Sequence, residues 1–322
     1  MAINHTNCLI ADVGGTYTRL ALVDANGNTG NLQLLENDDY PQLADALDSY
    51  IRSLPTEYKP DAAIIAVAGP VTGDNVRITN RDWAFSAEAY RTRFGLQFLH
   101  VVNDFAAVAL AISTLGPTDY LDIGGGTAVA DKPVGIVGPG TGLGVSFLIP
   151  QAGRWIPVSS EGGHVTLAAA NEQEEKLIAI VREQYGHVSA ERLLSGPGLS
   201  LIYQAIGRLQ GKTIPTLTPN EIILMDEQRN DPIATQTIDL FLQMLGTVAA
   251  NLAVTIAAEG GIYFAGGILP RITQRMLNSG FRKRFITHDR YSEWLDRIPT
   301  RLIIRDHIAL TGLRNYLAQL DN

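Results

Sequence analysis

The chain carries one opening twice. Leu9-Ile-Ala-Asp-Val-Gly-Gly-Thr16, continuing to Val23, is an apolar, β-rich run broken by a glycine turn and then resumed. Val134 to Ile149 does the same around Gly138-Pro-Gly-Thr-Gly-Leu-Gly144. Glycine turns between such runs predict hairpins over Asn7 to Val23 and Val134 to Ile149. A weak internal duplication of this kind, in a chain of 322 residues, predicts two α/β domains, since one domain usually takes ~150 residues.

The segments after each opening fit that reading. Asn31 to Glu36 adds a third strand, and Leu43, Leu47, Tyr50, Ile51 and Leu54 fall on one face of a helix between Pro41 and Pro55. Ala62 to Ala68 is apolar on both faces, as a central parallel strand is, and Gly69-Pro70 ends it. A short helix capped by Ser86, a strand Gln97 to Val102 and a helix Phe105 to Leu115 complete the order βββαβαβα. The second opening leads into helices Asn171 to Tyr185, Pro197 to Leu209, Glu221 to Gln228 and Pro232 to Ala258. A strand Gly261 to Ala265 runs into Gly266-Gly267 and a further helix, and a last strand (Arg301 to Ile304) and helix (His307 to Leu317) close the chain. With the boundary near Leu115 to Thr118, residues 1–116 are expected to form a small α/β domain completed by 305–322, and 117–304 a larger one. A cleft between such domains is a usual place for a small molecule.

Composition excludes several partners. The chain has 25 basic and 33 acidic residues, a net charge of −8, which argues against nucleic acid. One cysteine, Cys8, permits no internal disulfide and predicts a reduced, cytoplasmic protein. The N-terminal MAINHTNCLIADVGG has no basic region followed by an apolar one, so no leader is expected. Leu240 to Ala258 is uncharged, but Gln243, Thr247, Asn251 and Thr255 recur every four residues and predict a buried helix of a soluble protein. No membrane partner is expected.

Several residues are candidates for chemistry. In Asp12-Val-Gly-Gly-Thr16 the glycines let backbone N–H groups approach an anion, and Thr16 adds a hydroxyl, although a plain hairpin has the same composition. Asp12 beside a phosphate turn would be costly unless it held Mg²⁺ through water. Gly138 to Gly144 fails the dinucleotide pattern Gly-x-Gly-x-x-Gly, because Leu143, Val145 and Phe147 occupy the third glycine positions, and Ile206 breaks a P-loop ending at Gly211-Lys212-Thr213. Asn103-Asp104 closes a strand and opens a helix, where α/β sheets place ligands; it is either a helix cap or a proton acceptor for a hydroxyl that attacks phosphorus. Glu161-Gly-Gly-His164 is half of a metal site without its second half, so hydrogen bonds to a polyol fit it better than a metal. His187-Val-Ser-Ala-Glu191 reads as a helix start with Ser189 as cap and Arg192 as partner of Glu191, a reading compatible with a sugar contact. His5, His100, His288 and His307 lack such company and are expected to be structural or surface residues. Paired glycines at Gly266-Gly267 permit either a flat base on the backbone or close strand–helix packing.

Seven segments resemble the bacterial-type glucokinases of the hexokinase, Hsp70 and actin superfamily, in order and spacing. They are ADVGGTYTRLALVD (11–24), ITNRDWAFS (78–86), VVNDFAAVA (101–109), VGPGTGLGVSFLI (137–149), SSEGGHVTLAA (159–169), HVSAERLLSGPGL (187–199) and IYFAGGILPR (262–271). The resemblance implies a two-lobed, actin-like ATPase fold of the ribonuclease H type, with a cleft between a smaller and a larger α/β domain. It implies that Ala11, Asp12, Val13, Gly14, Gly15 and Thr16 form the ATP phosphate motif and that Asp104 is the catalytic base. Asn103, Asp104, Glu161, His164 and Glu191 would contact sugar hydroxyls, while Gly140, Thr141, Gly142, Gly266 and Gly267 would hold phosphate and adenosine. The cofactors implied are ATP and Mg²⁺, the activity is glucose 6-phosphorylation at the entry to glycolysis, and the assembly is a homodimer. The Cys-rich zinc motif of the related repressor and sugar-kinase group has no counterpart here, since Cys8 is the one cysteine. The alternatives are a kinase for another hexose, a sugar-sensing repressor, or a filament or chaperone ATPase of the same fold.

Overall fold

The computed structural model describes residues 5–79, 81–228 and 231–320. Asn80 of the 78–86 segment, residues 1–4 and residues 321–322 lie outside the described residues. By backbone proximity the chain divides into two compact units. The first holds Met1–Gly116, Gln151–Ser159 and Arg305–Asn322, and the second Pro117–Pro150 and Ser160–Ile304.

The elements follow in chain order. Strands β1 (Asn7–Val13), β2 (Tyr17–Asp24) and β3 (Thr29–Glu36) precede helix α1 (Leu43–Ser53) and β4 (Ala62–Val67). A short hairpin, β5 (Asn75–Arg77) and β6 (Ala84–Ser86), leads to α2 (Ala87–Arg93), β7 (Phe98–Asn103) and α3 (Asp104–Ala111). Next come β8 (Tyr120–Gly124), β9 (Val134–Pro139), β10 (Leu143–Gln151) and β11 (Arg154–Ser160). The helices α4 (Glu172–Tyr185), α5 (Ala190–Leu193), α6 (Gly196–Leu209), α7 (Pro219–Glu227) and α8 (Pro232–Ile256) precede β12 (Ile262–Phe264). Then α9 (Thr273–Leu277), α10 (Phe281–Ile286), α11 (Ser292–Arg297), β13 (Thr300–Ile303) and α12 (Ile308–Leu320) end the chain. The hairpin β5–β6 and the strands β8 and β11 are additions to the elements expected from the sequence, and the one helix expected after Gly267 is divided into α9, α10 and α11.

In the first unit the sheet order is β3-β2-β1-β4-β7, with β1, β4 and β7 parallel. All six residues of β4 are buried, as expected of a central parallel strand covered on both faces. Helix α1 starts with a capping box between Gln42 and Asp45 and buries Leu43, Leu47 and Tyr50. The C-terminal α12 packs on α3 closely enough that a Cβ at Gly312 would strike the Ala107 carbonyl, so the last helix braces the helix that begins at Asp104.

The second unit repeats the local topology. Strand β9 pairs antiparallel with β10 and parallel with β12, as β1 pairs with β2 and β4, and the order continues β12-β13-β8. The sequence duplication is thus a duplication of hairpin plus parallel neighbour. Helix α8 is capped by Asp231, starts with Pro232 and buries Phe241, Met244, Leu245 and Ala249 against α6, α7 and α10. It is the one described helix long and apolar enough to cross a membrane, and it is mostly buried within the protein. Its polar stripe has partners at one end: Arg284 donates to Gln243 Oε1 at 3.1 Å and Thr247 Oγ1 at 3.3 Å, and pairs with the buried Glu174 at 2.7 Å.

Candidate active site

In the first unit, strand register sets the geometry. Val13 of β1 lies beside Val67 of β4, which lies beside Asn103 of β7, so all three parallel strands end at one level. The hairpin Gly14-Gly15-Thr16 and the Asn103-Asp104 junction therefore share one edge of the sheet, two strand spacings or about 10 Å apart.

The β1–β2 hairpin closes with Gly14 N–H donating to Tyr17 O at 3.0 Å, leaving Gly15 and Thr16 exposed at the tip. Ala11 and Val13 are fully buried below it. Asp12 stands directly across the ladder from Arg19, whose Nη1 approaches Asp12 Oδ2 at 3.3 Å. Burial pushes the Asp12 carboxyl above its ordinary value, while the Arg19 guanidinium and, more distantly, His307 favour its ionised form. Arg19 leaves no mark in the sequence pattern, although a hairpin register through Gly14–Tyr17 places it opposite Asp12, and His307 is exposed on the surface.

Asn103 is the N-cap of α3: its Oδ1 accepts from the Ala106 N–H at 3.1 Å, and its Nδ2 donates to Gly69 O at 3.1 Å. The capping alternative therefore holds for Asn103, and it leaves one amide hydrogen and one lone pair for a ligand. Asp104 is half-buried in the first turn of α3, and its Oδ1 accepts from the Phe105 N–H at 2.8 Å.

In the second unit, one sheet edge gathers the remaining candidates. Gly140-Thr141-Gly142 turns between β9 and β10; Gly140 O accepts from the Gly196 N–H at the start of α6 at 2.8 Å, and Gly140 N–H donates to Gly142 O at 2.8 Å. Beside it, Ala265 N–H donates to Val137 O at 3.0 Å, which sets Gly266-Gly267 next to the end of β9. Glu191, at the start of α5, accepts from the Leu143 N–H through Oε2 at 2.8 Å. Its Oε1 lies 3.9 Å from His164 Nδ1, and His164 Nε2 lies 3.8 Å from Glu161 Oε2. Glu161, His164 and Glu191 thus converge beside the second glycine turn.

Close approach explains two of the glycines. A Cβ at Gly163 would strike the Leu143 carbonyl, so the Glu161–His164 turn lies flat on the start of β10, and a Cβ at Gly142 would strike Glu191 Oε2. Ser189 caps α5 as expected, accepting from the Arg192 N–H at 3.2 Å, but Arg192 is not placed as a partner of Glu191: its guanidinium stacks 4.2 Å over the Tyr185 ring. No group of three or more His, Cys, Asp or Glu side chains among the described residues is arranged to hold a metal.

Each of the two α/β units thus carries one glycine turn, the first with a carboxylate two strands away and the second with an acid–imidazole trio beside it. A family model described as Glucokinase matches residues 9–320. The chain is 45% identical over 307 residues to the glucokinase of Nitrobacter hamburgensis, covering 95% of this chain and 96% of that one. A crystal structure of a glucokinase from an Antarctic psychrotroph superposes with a TM-score of 0.87 at 34% identity, covering 97% of this chain and 99% of that one. A ROK family glucokinase from Streptomyces griseus, solved with glucose and AMPPNP, shares the fold at 18% identity and a TM-score of 0.66, over 98% of this chain and 100% of that one. The chain belongs to the glucokinase family.

Proposed function

We propose that this glucokinase-family chain transfers the γ-phosphoryl group of MgATP to the 6-hydroxyl of glucose with Asp104 as the general base. The observation that supports this most is the common level of Val13, Val67 and Asn103, which brings the exposed hairpin tip and the Asp104 carboxylate to one sheet edge. The hairpin N–H groups hold phosphate oxygens, and Asp104 accepts the hydroxyl proton as the sugar oxygen attacks phosphorus and the bond to ADP breaks. Charge neutralisation and alignment account for most of the rate.

Sugar hydroxyls are held by the spare donor and acceptor of Asn103 and by Glu161, His164 and Glu191. Gly140, Thr141, Gly142, Gly266 and Gly267 complete the nucleotide site. Magnesium arrives as part of the substrate, held mainly by phosphate oxygens and water. Asp12 fits an outer role toward it, with Arg19 at 3.3 Å opposing the burial that raises its carboxyl. The product enters glycolysis. A buried lone Cys8 fits a reducing cytoplasm, and the homodimer belongs to the same reading, with sedimentation as its check.

A coupled assay of ADP release across a panel of hexoses tests the proposal. Release that depends on glucose, and that is weaker with mannose or fructose, is expected. Release without added sugar would instead favour a filament or chaperone ATPase.

A further inference from the structure

Three consecutive carbonyls of the first glycine hairpin are engaged by the protein. Gly14 O accepts from Asn37 Nδ2 at 2.8 Å, Gly15 O from Arg81 Nη1 at 3.0 Å, and Thr16 O from the Asn37 backbone N–H at 2.9 Å. In a trans peptide the carbonyl and the next N–H point in opposite directions, and no described peptide is cis. Holding Gly14 O and Gly15 O therefore turns the N–H groups of Gly15 and Thr16 away from the protein, on the exposed side of the turn.

The clamp is itself fixed. Asn37 is fully buried, and its Oδ1 accepts from the Thr18 hydroxyl at 2.7 Å, so its amide cannot flip without losing both partners. Arg81 Nη2 donates to Asn37 O at 2.7 Å, Nη1 pairs with Asp38 Oδ1 at 2.9 Å, and the guanidinium lies 4.5 Å over the Trp83 ring. One arginine thus ties the hairpin to the Asn37–Asp39 turn by directed donors on a stacked plane. A bare two-glycine hairpin would sample other peptide orientations, and an anion site made of backbone N–H groups depends on their alignment.

We infer that Asn37 and Arg81 are positioning residues for the phosphates of ATP, acting through the direction of the Gly15 and Thr16 N–H groups. The inference rests on the kinase reading above and adds the device that pre-organises its phosphate turn. Neither residue is assigned contact with substrate.

The test is steady-state kinetics and nucleotide binding on the full chain carrying Arg81→Gln, Arg81→Lys or Asn37→Asp. Arg81→Gln should raise KM for MgATP about tenfold, the usual worth of a charge-assisted hydrogen bond lost from a site, with KM for glucose within about twofold. ADP binding should weaken in parallel while adenosine binding stays unchanged, because the defect lies at the phosphates. Arg81→Lys should recover part of the loss by reaching a single carbonyl. Asn37→Asp, which sets a carboxylate oxygen against Gly14 O, should exceed Arg81→Gln; since Asn37 is buried and this variant can fail to fold, the Arg81 pair decides. A wild-type KM for MgATP in Arg81→Gln, equal weakening of ADP and adenosine, or a fall in kcat with both KM values unchanged would overturn the inference. A wild-type protein that consumes no ATP in response to sugar would instead overturn the kinase reading.

Discussion

Replacing Gly142 by alanine separates an acid that holds sugar from one that only supports a loop. A Cβ at 142 would fall on Glu191 Oε2, the oxygen that accepts the Leu143 N–H at 2.8 Å. The φ angle of Gly142 is outside the left-handed region, so the substitution acts by displacing the carboxylate rather than by straining the backbone. A hydrogen bond to a charged group is worth about 1.5–3 kcal/mol, so losing it and moving Glu191 away from His164 should cut kcat/KM for glucose by about 10- to 150-fold. The decisive assay is a double-mutant cycle with Glu191→Gln, measured as kcat/KM for glucose at saturating MgATP. If Gly142→Ala works through Glu191, the double variant should be little worse than Glu191→Gln alone. Losses that simply add would refute the reasoning.

Two further perturbations test the electrostatics. In Arg19→Met the Asp12 carboxyl, already raised by burial, should rise further, moving the acid limb of kcat/KM for MgATP to higher pH. Because a raised carboxyl binds its proton more tightly in the folded state, the added instability is absent below the ordinary carboxyl pKa and grows as pH rises through the variant's folded value, which urea denaturation at several pH values would show. Arg284→Met leaves Glu174, fully buried, without its partner at 2.7 Å, and should lower stability by about 3–5 kcal/mol, while adding Glu174→Gln should restore most of it. Unchanged denaturation midpoints in the single variant would contradict that.

Strand ends and glycine turns were legible in the sequence because apolar runs stop where the chain must turn. Val13 into Gly14 and Val102 into Asn103-Asp104 are such stops, and parallel packing then aligns them. Strand β8 was not legible: Leu121 and Asp122 are exposed in an edge strand, so its residues show no buried alternation. The three-residue strands β5 and β6 are too short to show a period. Asn37 and Arg81 leave no mark in spacing either, since their role depends on which carbonyls they meet after the hairpin has folded against the Asn37–Asp39 turn. Arg192 reads naturally as a partner for its neighbour Glu191, but the Tyr185 ring offers it a stacked site and Leu143 N–H takes the acid.

The most direct measurement is single-turnover phosphoryl transfer to glucose by Asp104→Asn, alongside glucose binding by calorimetry. If the carboxylate at the end of β7 accepts the hydroxyl proton, the rate should fall by at least ~10²-fold, the usual contribution of a general base, with glucose affinity nearly unchanged. A rate close to that of the wild type, with the sugar still bound, would contradict the account.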